Sequence, residues 1–135
     1  MGTYDEMQPY AAKALLSDDT ELETGGATTT AIIANGAAVS GEIDVRGRTF
    51  AAVHLPAAWT AAELGLKAAT ASGGTFGSVY DQDGALYSVE VAANRVVKLD
   101  ATVLAGLRYI KLWSQDGSGS DANQGAARSI GVDLF

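Results

Sequence analysis

The chain has 135 residues, of which sixteen are acidic and nine basic. Its net charge is -7, with sixteen glycines, ten aromatic residues and no cysteine. One domain able to bury its own core is expected at this length. Disulfides and thiolate metal sites are excluded, and the acidic balance argues against nucleic acid and anionic membranes as partners.

No apolar run approaches the roughly 20 residues needed to span a bilayer. The opening MGTYDEMQPY has neither the basic region nor the apolar region of a secretory signal. The expectation is a protein that stays in the cytoplasm where it is made, or leaves inside a particle released by lysis.

Residues 1–26 differ from the rest. They hold six acidic residues (Asp5, Glu6, Asp18, Asp19, Glu21, Glu23) and one base, Lys13. Ala11 to Leu16 can form a helical turn after Pro9, a residue suited to a first helical position. The segment cannot bury much by itself, so it reads as a tail or as an extended arm that docks on a partner. Its apolar side chains, Tyr4, Met7, Tyr10, Leu15, Leu16 and Leu22, are the candidate contacts of such an arm.

From Ala27 the hydrophobic period is two. Thr28 to Ala34 reads as a strand ended by the turn dipeptide Asn35-Gly36. Ala38 to Val45 reads as a second, bent at Gly41. After the Arg46-Gly47 turn, the strand Thr49 to Leu55 sets Ala51, Val53 and Leu55 on one face, until Pro56 ends it. A helical turn capped by Thr60 is expected over Trp59–Glu63. Strands follow at Leu64–Ala71, Thr75–Tyr80, Leu86–Val91 and Arg95–Leu99, separated by Ser72-Gly73-Gly74, Asp81-Gln82-Asp83-Gly84 and Ala92-Ala93-Asn94.

Asp100 is an N-cap candidate for a turn of helix over Ala101–Leu104, stopped by Gly106. Leu107 to Trp113 is the most aromatic strand. Ser114 to Gly125 has no apolar side chain larger than Ala122 and reads as a mobile loop. Ala126 to Phe135 closes the fold. About nine short strands with turns every eight to twelve residues, and no long helix, indicate an all-β antiparallel sandwich of jelly-roll type. The expected division is an arm over 1–26 and a single sandwich domain over 27–135.

Residues able to carry chemistry are few. His54 is the only histidine, with no second imidazole or thiolate to share a metal. Asp81 and Asp83 sit in a tight turn, where Asp bonds its own backbone, and not at the separation glycoside hydrolysis needs. Asp116, Ser118, Ser120, Asp121 and Asn123 offer oxygens on a Gly-rich loop, but the closing bidentate Glu of a calcium loop is missing. No P-loop, dinucleotide fingerprint or nucleophile elbow is present. The expectation is no enzyme, no catalytic residue, no cofactor and no metal. Trp113, beside the polar loop with Tyr109 and Lys111 on its face, is the best surface candidate for stacking a sugar. A core or subunit-interface role is the competing assignment for these aromatics.

Three stretches, LPAAWTAAELGLKAATASGGTFGSVYDQDG, LDATVLAGLRYIKLWS and NQGAARSIGVDL, carry a resemblance. The pattern is Leu55-Pro56-x-x-Trp59, then Phe76, Tyr80-Asp81-x-x-Gly84, Leu107-x-Tyr109-Ile110 and Asn123-Gln124-Gly125-Ala126. It resembles small β-sandwich proteins from the structural gene clusters of tailed bacteriophages and gene transfer agents, over roughly residues 45–135. Such proteins look like capsid decoration (cement) proteins, head-spike bases or fibre-associated modules. The resemblance transfers no catalytic residue.

It implies a structural protein on the virion's capsid surface, whose partners are the major capsid protein and its own copies, as a homotrimer. The alternative is a carbohydrate-binding module of a head spike or fibre. That module would grip host surface polysaccharide through Tyr109, Lys111, Trp113 and loop 114–125.

Overall fold

The computed structural model describes residues 26–100 and 102–135. Among the described residues there are nine strands: β1 (Ala27–Ile33), β2 (Ile43–Asp44), β3 (Ala51–His54), β4 (Glu63–Ala69), β5 (Gly77–Ser78), β6 (Ser88–Glu90), β7 (Val96–Lys98), β8 (Tyr109–Gln115) and β9 (Arg128–Leu134). Among the described residues there is no helix, and so none long and apolar enough to cross a membrane.

Two antiparallel sheets face each other. Sheet A has the order β1-β9-β3-β7. Sheet B has the order β2-β8-β4-β5, and β6 pairs with β4 beside β5. The first strand therefore pairs with the last, the second with the last but one, and β3 with β7. Counting β5 and β6 as one strand interrupted by a hairpin, these pairings are those of a long hairpin wrapped around a barrel axis. That is the jelly-roll arrangement of eight strand positions in two Greek keys. The interruption is the hairpin of residues 79–87, closed by the Tyr80–Leu86 bridge. Its turn is held by Asp81 Oδ1, which accepts from the amides of Asp83 and Ala85, both at 2.9 Å.

The alternation of each strand decides what lies between the sheets. Ala31 and Ile33 of β1, Ala51 and Val53 of β3, and Ile130, Val132 and Leu134 of β9 enter from sheet A. Leu64 and Leu66 of β4 and Ile110 and Leu112 of β8 enter from sheet B. Each Val, Leu or Ile among them contributes about 1.5–3 kcal/mol by leaving water. Leu104, fully buried, joins the same cluster from the β7–β8 connection.

Three local expectations are corrected. The second strand, expected over Ala38–Val45, keeps only Ile43–Asp44, because the chain changes sheets there. Ser40 bridges to Ile33 in sheet A while Val39 bridges to Trp113 in sheet B. Trp59–Glu63 is not helical. The Thr60 amide and hydroxyl, expected to cap a helix, bind the 124–128 segment instead. The segment after Asp100 is a chain of tight turns, with amides of Val103, Ala105 and Leu107 each donating to the carbonyl three residues back, and it ends at Gly106 with φ of 85°.

The expected arm of residues 1–26, with Tyr4, Met7, Tyr10, Leu15, Leu16 and Leu22, lies outside the described residues except for Gly26.

Candidate functional site

The two outer faces of the sandwich are the surfaces the fold holds rigid. On sheet A, register places Thr28, Asp133, Ala52 and Lys98 in one row, and Thr30, Gly131, His54 and Val96 in the next. Ile32 continues the outer side of β1. Phe50 and Phe135 lie together at the other end, where the Phe50 and Thr49 amides both donate to the Phe135 carbonyl.

Four large apolar side chains stand exposed around this face: Ile32 at 55 %, Phe50 at 53 %, Val96 at 60 % and Phe135 at 60 %. Between the two phenylalanines and Leu99 runs an open groove of about 620 Å³, floored by Ala51 and Ala52 and flanked by Lys98, Asp100 and Asp133. The middle of the face is low, because Gly131 and Ala52 have little or no side chain.

His54 lies at the centre of this face. Its Nε2 is 2.8 Å from Asp133 Oδ2, and Thr28 Oγ1 donates to Asp133 Oδ1 at 2.9 Å. The imidazole beside it, then the Thr28 hydroxyl, hold the Asp133 carboxyl below its ordinary value. A nucleophilic triad needs the hydroxyl on the imidazole. Here the hydroxyl and the imidazole both bind the carboxylate, so the hydroxyl is not activated. The cluster closes a polar gap in an otherwise apolar surface.

Sheet B presents a different outer face. Gly65, Lys67 and Ala69 of β4 stand opposite Trp113, Lys111 and Tyr109 of β8. Each aromatic ring there carries a cation. Lys67 Nζ is 4.0 Å from the Trp113 ring centre, Lys111 Nζ is 4.5 Å from that of Phe76, and the Arg46 guanidinium is 5.2 Å from that of Tyr109.

Of the two assignments open for Trp113, surface stacking or a core role, the structure takes the core one: it is only 3 % exposed. Its Nε1 donates to Asp121 Oδ1 at 2.7 Å. Gly65 makes room beneath it: a Cβ there would lie 3.1 Å from Trp113 Cε3 and collide with the Gln115 side chain. Tyr109 and Lys111 are half-buried on the outer side of β8. The structure thus brings the three expected residues onto one face, and it presents cations there where free ring faces were expected.

The loop after β8, read from its composition as a mobile segment, is tied to the body by polar contacts. Asp116 Oδ1 accepts from the Ser118 amide and hydroxyl, both at 2.8 Å, and from the Ser120 amide at 3.2 Å. Those donors, the Ser118 amide first, lower the Asp116 pKa. Its carboxylate is thus occupied by the turn. Among the described residues no three His, Asp or Glu side chains converge as a metal site would require.

Gln124 anchors the far end of the loop and is 1 % exposed. Its Oε1 accepts from the Thr60 amide and from Arg128 Nε. Its Nε2 donates to the Thr60 carbonyl and to Ser114 Oγ. A buried amide with all four bonds made is a structural joint. Sequence reading met Gln124 only as part of a motif. Its one local signal was a long polar side chain directly before Gly125, between the loop and the last strand.

Tyr87 is the most perturbed phenol. Burial, with the Asp100 carboxylate adding to it, pushes it up to about 12. Its hydroxyl lacks a hydrogen bond of normal geometry, and its side chain lines an open pocket of about 420 Å³ together with Val79, Tyr80, Asp100 and Val103.

Comparison with known proteins adds a likeness of shape. No family model matches the chain, and no curated protein matches it. Among solved structures, the chain is similar to the crystal structure of the SPBc2 prophage-derived protein YomS. The two are 15 % identical with a TM-score of 0.47, over 81 % of this chain and 93 % of that one.

Proposed function

We propose that this chain is a non-enzymatic virion structural protein that decorates the head of a tailed bacteriophage as a cement protein. The outer face of sheet A seats on the major capsid protein, and copies associate as a homotrimer at the capsid surface. The observation that carries the reading is the set of four exposed apolar side chains, Ile32, Phe50, Val96 and Phe135, around a low and weakly charged centre. Such a patch is what a second protein surface covers. The resemblance of residues 45–135 to structural proteins of tailed phages supplies the kind of partner.

Magnitudes support several copies acting together. The four strands, of seven, four, three and seven residues, lie about 4.8 Å apart and at about 3.3 Å per residue present roughly 330 Å². That is under half of the ~800 Å² per partner in a standard stable interface. One copy would hold weakly, and symmetric copies add their contacts through a high effective concentration.

The test is co-sedimentation of the full chain with heads stripped of it. Wild type should saturate the heads, and a folded Ile32→Asp/Val96→Asp double variant should not. Equal occupancy by both proteins would remove the docking face and with it this reading. The polysaccharide alternative through Tyr109, Lys111 and Trp113 has less to stand on, because cations already cap the three rings of that face.

A further inference from the structure

Two connections outside the sheets share a cleft. One is the hairpin of residues 79–87, and the other is the chain of turns after Asp100. Both line an open space of about 420 Å³, within the ~300–1,000 Å³ of small-molecule sites.

Backbone bonds fix each wall. In the hairpin, the Asp81 amide donates to the Ala85 carbonyl at 2.9 Å and the Tyr87 amide to the Val79 carbonyl at 3.0 Å. On the other side, the amides of Val103 and Ala105 donate to the carbonyls of Asp100 and Thr102, both at 3.0 Å. Leu104, fully buried, pins that segment to the core. A site held in this way loses little freedom when a ligand enters.

Val79, Val103 and Ala105 supply the apolar part of the lining. Tyr80 lines the cleft as well, yet is 58 % exposed. Among the described residues no cation lies over its ring, whereas the rings of Trp113, Phe76 and Tyr109 each carry one. Tyr80 therefore offers the open aromatic surface that sheet B does not.

The polar part of the lining is rich in acceptors. Asp81 spends Oδ1 on its own turn, which leaves Oδ2. The Asp100 carboxylate acts on the Tyr87 phenol and belongs to neither ion pair among the described residues, Arg46–Asp44 and His54–Asp133. Gln82 and Thr102 add side chains that both donate and accept. No Lys, Arg or His lines the cleft.

This set selects its ligand by chemistry. Two carboxylates without a base repel phosphates and acidic sugars. A wholly apolar ligand would take water from them and return no hydrogen bond. An organic cation is best held by a cage of aromatic rings, and the cleft presents one open ring. A neutral sugar ring meets every part of the lining. Its C–H face covers the aromatic ring, and its hydroxyls donate to the carboxylates in charge-assisted bonds.

We propose that the cleft between the 79–87 hairpin and the turns after Asp100 is a binding site for one neutral sugar ring, stacked on Tyr80. The site is independent of what covers sheet A. A hexose of about twelve non-hydrogen atoms binds it with a Kd of about 1 mM, and many copies on one particle would multiply that hold.

Titration of the ¹⁵N-labelled full chain with methyl glucoside, methyl galactoside, methyl mannoside and N-acetylglucosamine tests it, read by amide chemical shifts up to about 50 mM sugar. At least one sugar should shift amides of residues 79–83 and 102–105 along a saturable curve. Tyr80→Ala should fold, because the side chain is exposed, and should weaken binding about tenfold. Tyr80→Phe keeps the ring and should bind within about threefold of wild type. Co-sedimentation of Tyr80→Ala with stripped heads should match wild type, which separates this site from the sheet A face.

Four results would overturn the assignment: no saturable shift with any of these sugars, shifts confined to residues 109–115, equal affinity in Tyr80→Ala, or saturation by choline or galacturonate in place of the neutral sugars.

Discussion

The two outer faces of the sandwich are built from the same kind of strand yet offer opposite chemistry. Sheet A exposes Ile32, Phe50, Val96 and Phe135 and ties its central polar side chains, His54 and Asp133, to one another. Sheet B keeps its large aromatic Trp113 buried and sets two lysines, Lys67 and Lys111, side by side on the same face. An apolar face whose polar side chains bond one another gains by excluding water under a broad partner. A face of fixed cations gains by meeting carboxylates. The difference teaches that aromatic content does not mark the sticky side of this molecule; what covers each ring does.

Breaking that contrast should have its largest effect at sheet A. Two interface anchors turned to Asp should weaken head binding by about 3 kcal/mol, roughly 100-fold, if they are central contacts. Titration of stripped heads with Ile32→Asp/Val96→Asp reads this directly.

Next is Gln124, the joint that fixes the loop at the end of both faces. Gln124→Ala leaves the Thr60 amide and carbonyl without their partner and removes one contact each from Ser114 Oγ and Arg128 Nε, which keep Ala122 and Thr60; it should cost about 2–4 kcal/mol, at about 1–3 per unsatisfied buried group. Denaturant unfolding measures it. Gly65→Ala forces Gln115 and Trp113 apart and should cost about 1–3 kcal/mol by overpacking, seen in the same assay. Lys67→Gln/Lys111→Gln sharpens the contrast from the other side. Stability should stay within about 0.5 kcal/mol and head binding should not change.

The smallest effect is at acid pH. The bidentate Arg46 contact, then the Arg46 amide, lower Asp44 from its ordinary 3.8 to about 2. Asp133 and Glu42 are lowered as well, the latter mainly by the Gly73 amide. A carboxylate depressed in the folded state stabilises it above the unfolded pKa and loses that contribution as pH falls through the folded one. The melting temperature should therefore decline from about pH 4 toward pH 2. Asp44→Asn should flatten the lower part of that decline.

Much of the fold was legible because it rests on local rules. The alternation of Ala51, Val53 and Leu55 and of Ile130, Val132 and Leu134 marks half-buried strands, and each of these residues faces the core. Asn35-Gly36, Asp81-x-x-Gly84 and Gly106 mark turns, and all three glycines have positive φ. The jelly-roll type also follows, since the strand order is that of a wrapped hairpin.

What the sequence hid depends on contacts far apart in the chain. For Trp113 the sequence leaves surface and core both open, and its packing with Gly65, Lys67 and Asp121 decides for burial. The loop 114–125 reads as mobile because it lacks apolar side chains, yet Asp116, Asp121 and Gln124 tie it down through polar bonds. Thr60 looks like a helix cap and instead binds residues more than sixty positions away. The apolar corners of sheet A were invisible for the same reason. Ile32, Phe50, Val96 and Phe135 come from four strands or strand ends, and only the pairing of β1 with β9 and of β3 with β7 and β9 sets them on one surface.

The division of labour between the faces is tested most directly by hydroxyl-radical footprinting of the full chain, free and bound to heads. The prediction is that oxidation of Ile32, Phe50, Val96 and Phe135 falls on binding while that of Tyr109 and Phe76 stays constant. Protection of Tyr109 and Phe76, with the four sheet A side chains as reactive as in the free protein, would contradict it.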